Sequence, residues 1–164
     1  MNQPPCSTST GPPRPGSDPA GPATSPSAKT GAIRSALVID DEAFERTYCR
    51  RVIERSGLVG TLTEYTMATD AIAAMKSGAA GSADVIFLDV NMPRMTGIEF
   101  LEEAVQALAP GFAQLVVVML TVPLDPVLSA RLDTLPLDVI YVPKPLTVDH
   151  IEQASHRIAQ GQAG

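Results

Sequence analysis

Asp40, Asp41 and Asp89 stand where apolar runs that read as β-strands give out: Ser35-Ala-Leu-Val-Ile39 precedes the first two, and Asp84-Val-Ile-Phe-Leu88 the third. In an open α/β sheet, ligands bind at the carboxyl ends of the strands, so acids placed there would share one pocket. A few oxygen ligands, completed by water and phosphate oxygens, suit Mg²⁺, a small hard cation that rarely uses an all-protein cage. Thr121 and Lys144 follow two further apolar runs and could donate to phosphoryl oxygens. A carboxylate near a metal can attack phosphorus in line and hold the group as an acyl phosphate, which makes Asp89 the natural nucleophile.

The elements that would position these residues alternate in type along the chain. After the first strand, Glu42 to Ser56 has apolar residues at Phe44, Tyr48, Val52 and Ile53 and stops at Gly57, the pattern of a helix with one buried stripe. Thr61 to Tyr65 reads as a strand, Thr69 to Ser77 as a helix, and Asp84 to Leu88 as a fully buried strand. Thr96 to Leu108 is helical, with Ile98, Leu101, Val105 and Leu108 spaced for a core face. Gln114 to Leu120 is a near-continuous apolar run, typical of a central parallel strand. Asp125-Pro126 supplies a cap and a first-turn proline for a helix to about Leu135, with Leu128, Leu132 and Leu135 on one face. Asp138 to Val142 is the fifth strand, and Thr147 to Gln160 the fifth helix, with Val148, Ile151 and Ile158 inward. Five such units with right-handed crossovers predict an α/β fold, a doubly wound parallel sheet.

Composition narrows the function classes. The chain has 164 residues, enough for one domain with a sizeable core, and is 45% hydrophobic. Its formal charge is −6, and because the first 34 positions hold three of the twelve Lys/Arg (Arg14, Lys29, Arg34) but one of the eighteen Asp/Glu, the remainder is more acidic still, at 9 − 17 = −8. Nucleic-acid binding is not expected of such a domain. Cys6 and Cys49 offer neither a disulfide framework nor metal-ligand spacing, and no run approaches the roughly 20 apolar residues of a membrane span. With no secretory signal pattern, a reducing, cytoplasmic setting is expected. Residues 1–34 hold eight of the fifteen prolines among Gly, Ser, Thr and Ala, and are expected to be a disordered tail; residues 161–164 form a short C-terminal tail.

Taken in order, Val38-Ile39-Asp40-Asp41-Glu42, Leu88-Asp89-Val-Asn-Met92-Pro93-Arg-Met-Thr96-Gly97-Ile-Glu99-Phe, Val118-Met-Leu120-Thr121 and Tyr141-Val-Pro-Lys144-Pro145 resemble the receiver domain of bacterial two-component response regulators. The likeness covers residues 35–160. It implies a flavodoxin-like three-layer (βα)5 sandwich with parallel strand order 2-1-3-4-5. It also implies that Asp89 is the phospho-acceptor, served by a sensor histidine kinase or histidine phosphotransfer protein. Asp40, Asp41 and Asp89 would hold Mg²⁺ with the backbone carbonyl of Asn91, and Thr121 and Lys144 would grip the phosphoryl group. Tyr141 would occupy the aromatic switch position, and the surface of the fourth helix, fifth strand and fifth helix would meet a downstream protein.

Each residue also has a structural reading. Asp41 could cap the following helix, Thr121 could bond its own loop, and Tyr141 could be a half-buried strand aromatic. His150 and His156 are expected to face solvent, and Cys49 to lie in the core. Where the resemblance leads one to expect Ala or Gly after Thr121 the chain has Val122, and Pro123 follows; both predict narrower access or slower hydrolysis. Because the chain stops shortly after the fifth helix, a stand-alone, non-enzymatic, chemotaxis-regulator-like response regulator is expected, acting as a phosphorylation-gated switch or a phosphate relay. The alternatives are a phosphorylation-independent pseudo-receiver that binds proteins and an aspartyl-phosphate phosphotransferase. Against the latter, Asp40 and Asp41 are adjacent and no residues remain for a cap domain.

Overall fold

Residues 33–161 of the chain are described in a computed structural model. Five strands alternate with five helices: β1 Ile33–Ile39, α1 Ala43–Ser56, β2 Val59–Tyr65, α2 Ala68–Lys76, β3 Ala83–Asp89, α3 Gly97–Ala107, β4 Ala113–Leu120, α4 Pro126–Asp133, β5 Val139–Pro143 and α5 Val148–Gly161. The strands are all parallel, in the order β2-β1-β3-β4-β5. This is the doubly wound arrangement expected from the alternation, in the flavodoxin-like (βα)5 order that the resemblance implied. Except for Ile33 and Arg34, the expected tail lies outside the described residues.

Alternation along the central strands divides the core in two. Leu37, Ile39, Ile86, Leu88, Val116 and Val118 point to one face, where α2, α3 and α4 bring Ile72, Met75, Ile98, Leu101 and Leu132. Val38, Val85, Phe87, Leu115, Val117 and Met119 point to the other, against Cys49, Val52, Ile53, Ile151 and Ile158 of α1 and α5. All seven residues of β3 are buried, because helices cover both of its faces.

Several local expectations change. β1 begins at Ile33, two residues before Ser35, because its backbone continues to pair: Ile33 N donates to Leu58 O at 2.8 Å. Arg34 follows it into a buried acid. Its N–H donates to Asp84 Oδ2 at 2.7 Å and its guanidinium to Oδ1 at 3.0 Å. β2 likewise starts at Val59, running through Gly60, where an added Cβ would meet Arg34 O at 2.9 Å. A glycine that reads as punctuation is thus a strand residue chosen for close approach.

Phe44 is not part of the buried stripe of α1; it is 77% exposed. Cys49, Val52 and Ile53 form the stripe, with Tyr48 packed at its edge. In α3 the core face is Ile98, Phe100, Leu101 and Ala104, with Val105 and Leu108 only half-buried. His150 is half-buried rather than solvent-facing. It closes the start of α5 reciprocally with Thr147, whose N–H donates to Nδ1 while Thr147 Oγ1 accepts from His150 N, both at 3.3 Å.

Candidate functional site

The register brings the strand ends level. Ile39 pairs with Leu88, so Asp40 and Asp89, the next residues of each chain, sit side by side. Leu120 pairs with Pro143, and Lys144 N donates to Leu120 O at 2.8 Å, which carries Lys144 to the same edge. Asp40, Asp41 and Asp89 then offer carboxylate oxygens that all lie within 4.8 Å of one another. That donor set, hard oxygens and nothing else, fits a small divalent cation such as Mg²⁺.

Lys144 is the cationic partner of the cluster. Its Nζ lies 2.8 Å from Asp40 Oδ2 and 2.9 Å from Asp89 Oδ1. Asp40 is fully buried and its other carboxylate oxygen accepts from Glu42 N at 2.9 Å, so it also starts α1. Burial pushes the Asp89 carboxyl above the usual carboxylate range, and the charges of Asp40 and Asp41 add to that push; Lys144 opposes it without cancelling it. For Lys144 itself burial works against the charge, but hydrogen bonds and attraction from Asp40 and Asp89 prevail and raise it to about 12. A strained acid beside a firmly charged ammonium is an arrangement able to accept and hold an anionic group.

Thr121 and Asn91 lie on exposed loops bordering this cluster, Thr121 just past β4 and Asn91 two residues past Asp89. Thr121, Val122 and Pro123 line a groove of about 240 Å³ with Tyr141 and Pro143. Tyr141 is 39% exposed and shares a hydrogen bond with Ser129 of α4; burial, helped by Asp133, holds its hydroxyl above the ordinary range. Val122, in the wall of that groove, is 64% exposed. Cys49 lies in the core, where burial, with the charge of Asp40, pushes its thiol up to about 12, so it stays neutral.

Two residues support this site that the strand-end pattern did not single out. Gly97, the first residue of α3, lies so near the end of β3 that an added Cβ would stand 2.4 Å from Asp89 O. Its signals are its membership of the run from Leu88 that carries the resemblance and its place after Thr96, whose hydroxyl accepts from Glu99 N at 3.2 Å while Glu99 Oε2 accepts from Thr96 N at 2.8 Å. Arg46 of α1 donates through Nη1 to Asp40 O at 2.8 Å and Asp41 O at 2.9 Å. Nothing in the spacing marks it, since its targets are backbone atoms.

Comparison with known proteins gives the same picture. Among curated proteins, an uncharacterized response regulatory protein of Vibrio parahaemolyticus is 40% identical over 67 residues, 41% of this chain and 26% of the relative. A protein-glutamate methylesterase/protein-glutamine glutaminase of Bdellovibrio bacteriovorus is 37% identical over 73 residues, 43% of this chain and 19% of the relative. The matched regions thus span about a quarter or less of these curated relatives. Among solved structures, a two component response regulator from Cytophaga hutchinsonii has a TM-score of 0.69 at 26% identity, covering 79% of this chain and 98% of that one. A chemotaxis protein of Vibrio cholerae shares the fold, with a TM-score of 0.60 at 20% identity over 77% of this chain and 99% of that one. Residues 36–156, from β1 into α5, match the response regulator receiver domain family. A match that runs through all five βα units makes this chain a member of that family.

Proposed function

We propose that this receiver domain takes a phosphoryl group onto Asp89 from a phosphohistidine of a sensor kinase or histidine phosphotransfer protein. An Asp89 carboxylate oxygen attacks phosphorus as the N–P bond of the donor breaks; the electron pair of that bond leaves with the histidine nitrogen, and an acyl phosphate remains. A Mg²⁺ held by Asp40, Asp41 and Asp89, with the Asn91 carbonyl, would neutralise charge on the phosphoryl oxygens. Lys144 holds the carboxylates apart in charge before the reaction and donates to a phosphoryl oxygen after it. Thr121 supplies a hydroxyl for another. The observation that carries this reading is the buried Asp89 carboxyl, raised by its surroundings, touching Lys144 and within reach of Asp40 and Asp41.

The new charge then biases a two-state element. Thr121 drawn toward the phosphoryl group would open room for Tyr141 to leave Ser129 and turn toward the groove beside it. The surface of α4, β5 and α5 would thereby change for a downstream protein, as a switch or as a relay station. A cytoplasmic setting, where a donor kinase would find ATP, belongs to the same proposal. Among the described residues no helix is long and apolar enough to cross a membrane.

The test is incubation of wild type and Asp89→Asn with a small phosphodonor, with and without Mg²⁺, followed by intact-mass measurement. A base-labile adduct of one phosphoryl group, dependent on Mg²⁺ and on Asp89, is expected. Its absence from wild type would overturn the reading.

A further inference from the structure

We propose that Arg46 is a positioning residue for the cation, pinning the Asp40–Asp41 turn so that both carboxylates serve the pocket; this rests on reading the three acids as a Mg²⁺ site. Asp40 is tied at every polar atom. Its N–H donates to Tyr65 O at 3.2 Å, Oδ1 accepts from Glu42 N at 2.9 Å, Oδ2 meets Lys144 at 2.8 Å, and its carbonyl accepts from Arg46 Nη1 at 2.8 Å. The same Arg46 nitrogen reaches Asp41 O at 2.9 Å.

A guanidinium Nη carries two hydrogens, one for each carbonyl. Consecutive carbonyls of an extended chain point to opposite sides, so their convergence on one nitrogen fixes the turn where the chain leaves β1. Arg46 is itself anchored by the opening hydrogen bond of α1, from Arg46 N to Glu42 O at 3.0 Å. It therefore ties the helix to the loop that bears two of the three acids. Asp41 is half-buried, and the bond to its carbonyl orients the residue through its backbone.

Electrostatics and positioning make opposite demands here. A guanidinium beside the ligands repels a divalent cation, so a purely electrostatic Arg46 would weaken Mg²⁺ binding, and its removal would tighten it. A group that orients metal ligands acts the other way, and losing one costs roughly 10–100-fold in affinity. The sign of the change separates the two.

The experiment is calorimetric titration of the full chain with Mg²⁺ for wild type, Arg46→Met and Arg46→Lys, alongside phosphoryl uptake from a small donor over a range of Mg²⁺. Arg46→Met is expected to bind Mg²⁺ about tenfold or more weakly. Arg46→Lys, still able to donate to both carbonyls, should recover part of the loss. The Mg²⁺ concentration for half-maximal uptake should rise in parallel, while the rate at saturating Mg²⁺ stays within about threefold of wild type. Equal or tighter Mg²⁺ binding in Arg46→Met, or a rate deficit that saturating Mg²⁺ does not relieve, would overturn the proposal. Thermal unfolding in chelator reports folding; if Arg46→Met does not fold, the same criteria are read from Arg46→Lys. A wild-type protein that takes no Mg²⁺ would instead overturn the metal reading beneath it.

Discussion

Gly97→Ala should damage both stability and phosphoryl uptake, because the missing Cβ is what lets α3 start against the end of β3. The added atom would stand 2.4 Å from Asp89 O, 3.1 Å from Val90 Cα and 3.2 Å from the Asp89 carbonyl carbon. All three are backbone atoms, so no side chain can swing aside. Real Cβ atoms keep at least 3.0 Å from such neighbours, so the first turn of α3 must retreat by about 0.6 Å. Retreat stretches the bond from Gly97 N to Val90 O, now 3.0 Å, and drags the Thr96–Glu99 capping box with it.

Overpacking of this kind costs about 1–3 kcal/mol, or roughly 3–10 °C of Tm in a domain of this size. The strain falls on the residue proposed as nucleophile. A 1 Å misplacement of reacting groups can cost about 100-fold, so a shift of just over half that should slow uptake by about tenfold. Urea unfolding and the rate of adduct formation, measured on wild type, Gly97→Ala and Gly161→Ala, check this. Gly161 ends α5 with nothing within 4 Å of a new Cβ, so its substitution should be near neutral. A Gly97→Ala protein as stable and as reactive as wild type would refute the steric argument.

Asp84→Ala should cost about 1–3 kcal/mol at neutral pH, since it strips partners from Arg34, Ser35 and Gln114 at the opposite pole of the sheet. Burial alone would raise the Asp84 carboxyl, but hydrogen bonds from Arg34 and Ser35 prevail and lower it. Its folded-state value is therefore depressed, so its stabilisation is present above the unfolded value of 3.8 and fades as pH falls through the depressed one. Urea unfolding of both proteins from neutral pH into acid should show the gap closing; a gap that persists in acid contradicts this assignment. On the loop after Thr121, Val122→Ala, by widening access, and Pro123→Glu, by supplying a polar side chain for the hydrolytic water, should speed loss of the phosphoryl group several-fold; unchanged dephosphorylation rates would exclude those side chains as the control.

Four of the five strand ends were legible because their apolar runs stop at a polar or charged residue, and parallel strands must end on the same edge. Asp40, Asp41, Asp89, Thr121 and Lys144 were proposed as site residues that way. What stayed hidden depends on partners far along the chain or on backbone atoms. Periodicity placed Phe44 on the inner stripe of α1, but it stands in the first turn of the helix and is exposed, and the buried stripe begins only at Cys49. Arg34 and Asp84 are fifty residues apart, so nothing local extended β1 back to Ile33. Arg46 donates to backbone carbonyls that no side-chain pattern marks, and Gly97 is needed for an atom it lacks. His150 takes the role usually given to Glu or Gln in a capping box, which the Thr147-x-x-His150 spacing alone did not announce.

Asp89, alone of the three clustered acids, is proposed to carry the phosphoryl group. Borohydride reduces an acyl phosphate to an alcohol at the modified residue and leaves free carboxylates intact, so peptide mapping after phosphorylation reads the site directly. Reduction is expected at Asp89 and none at Asp40 or Asp41. Label on either of those two, or none on the protein after exposure to phosphodonor and Mg²⁺, would contradict it.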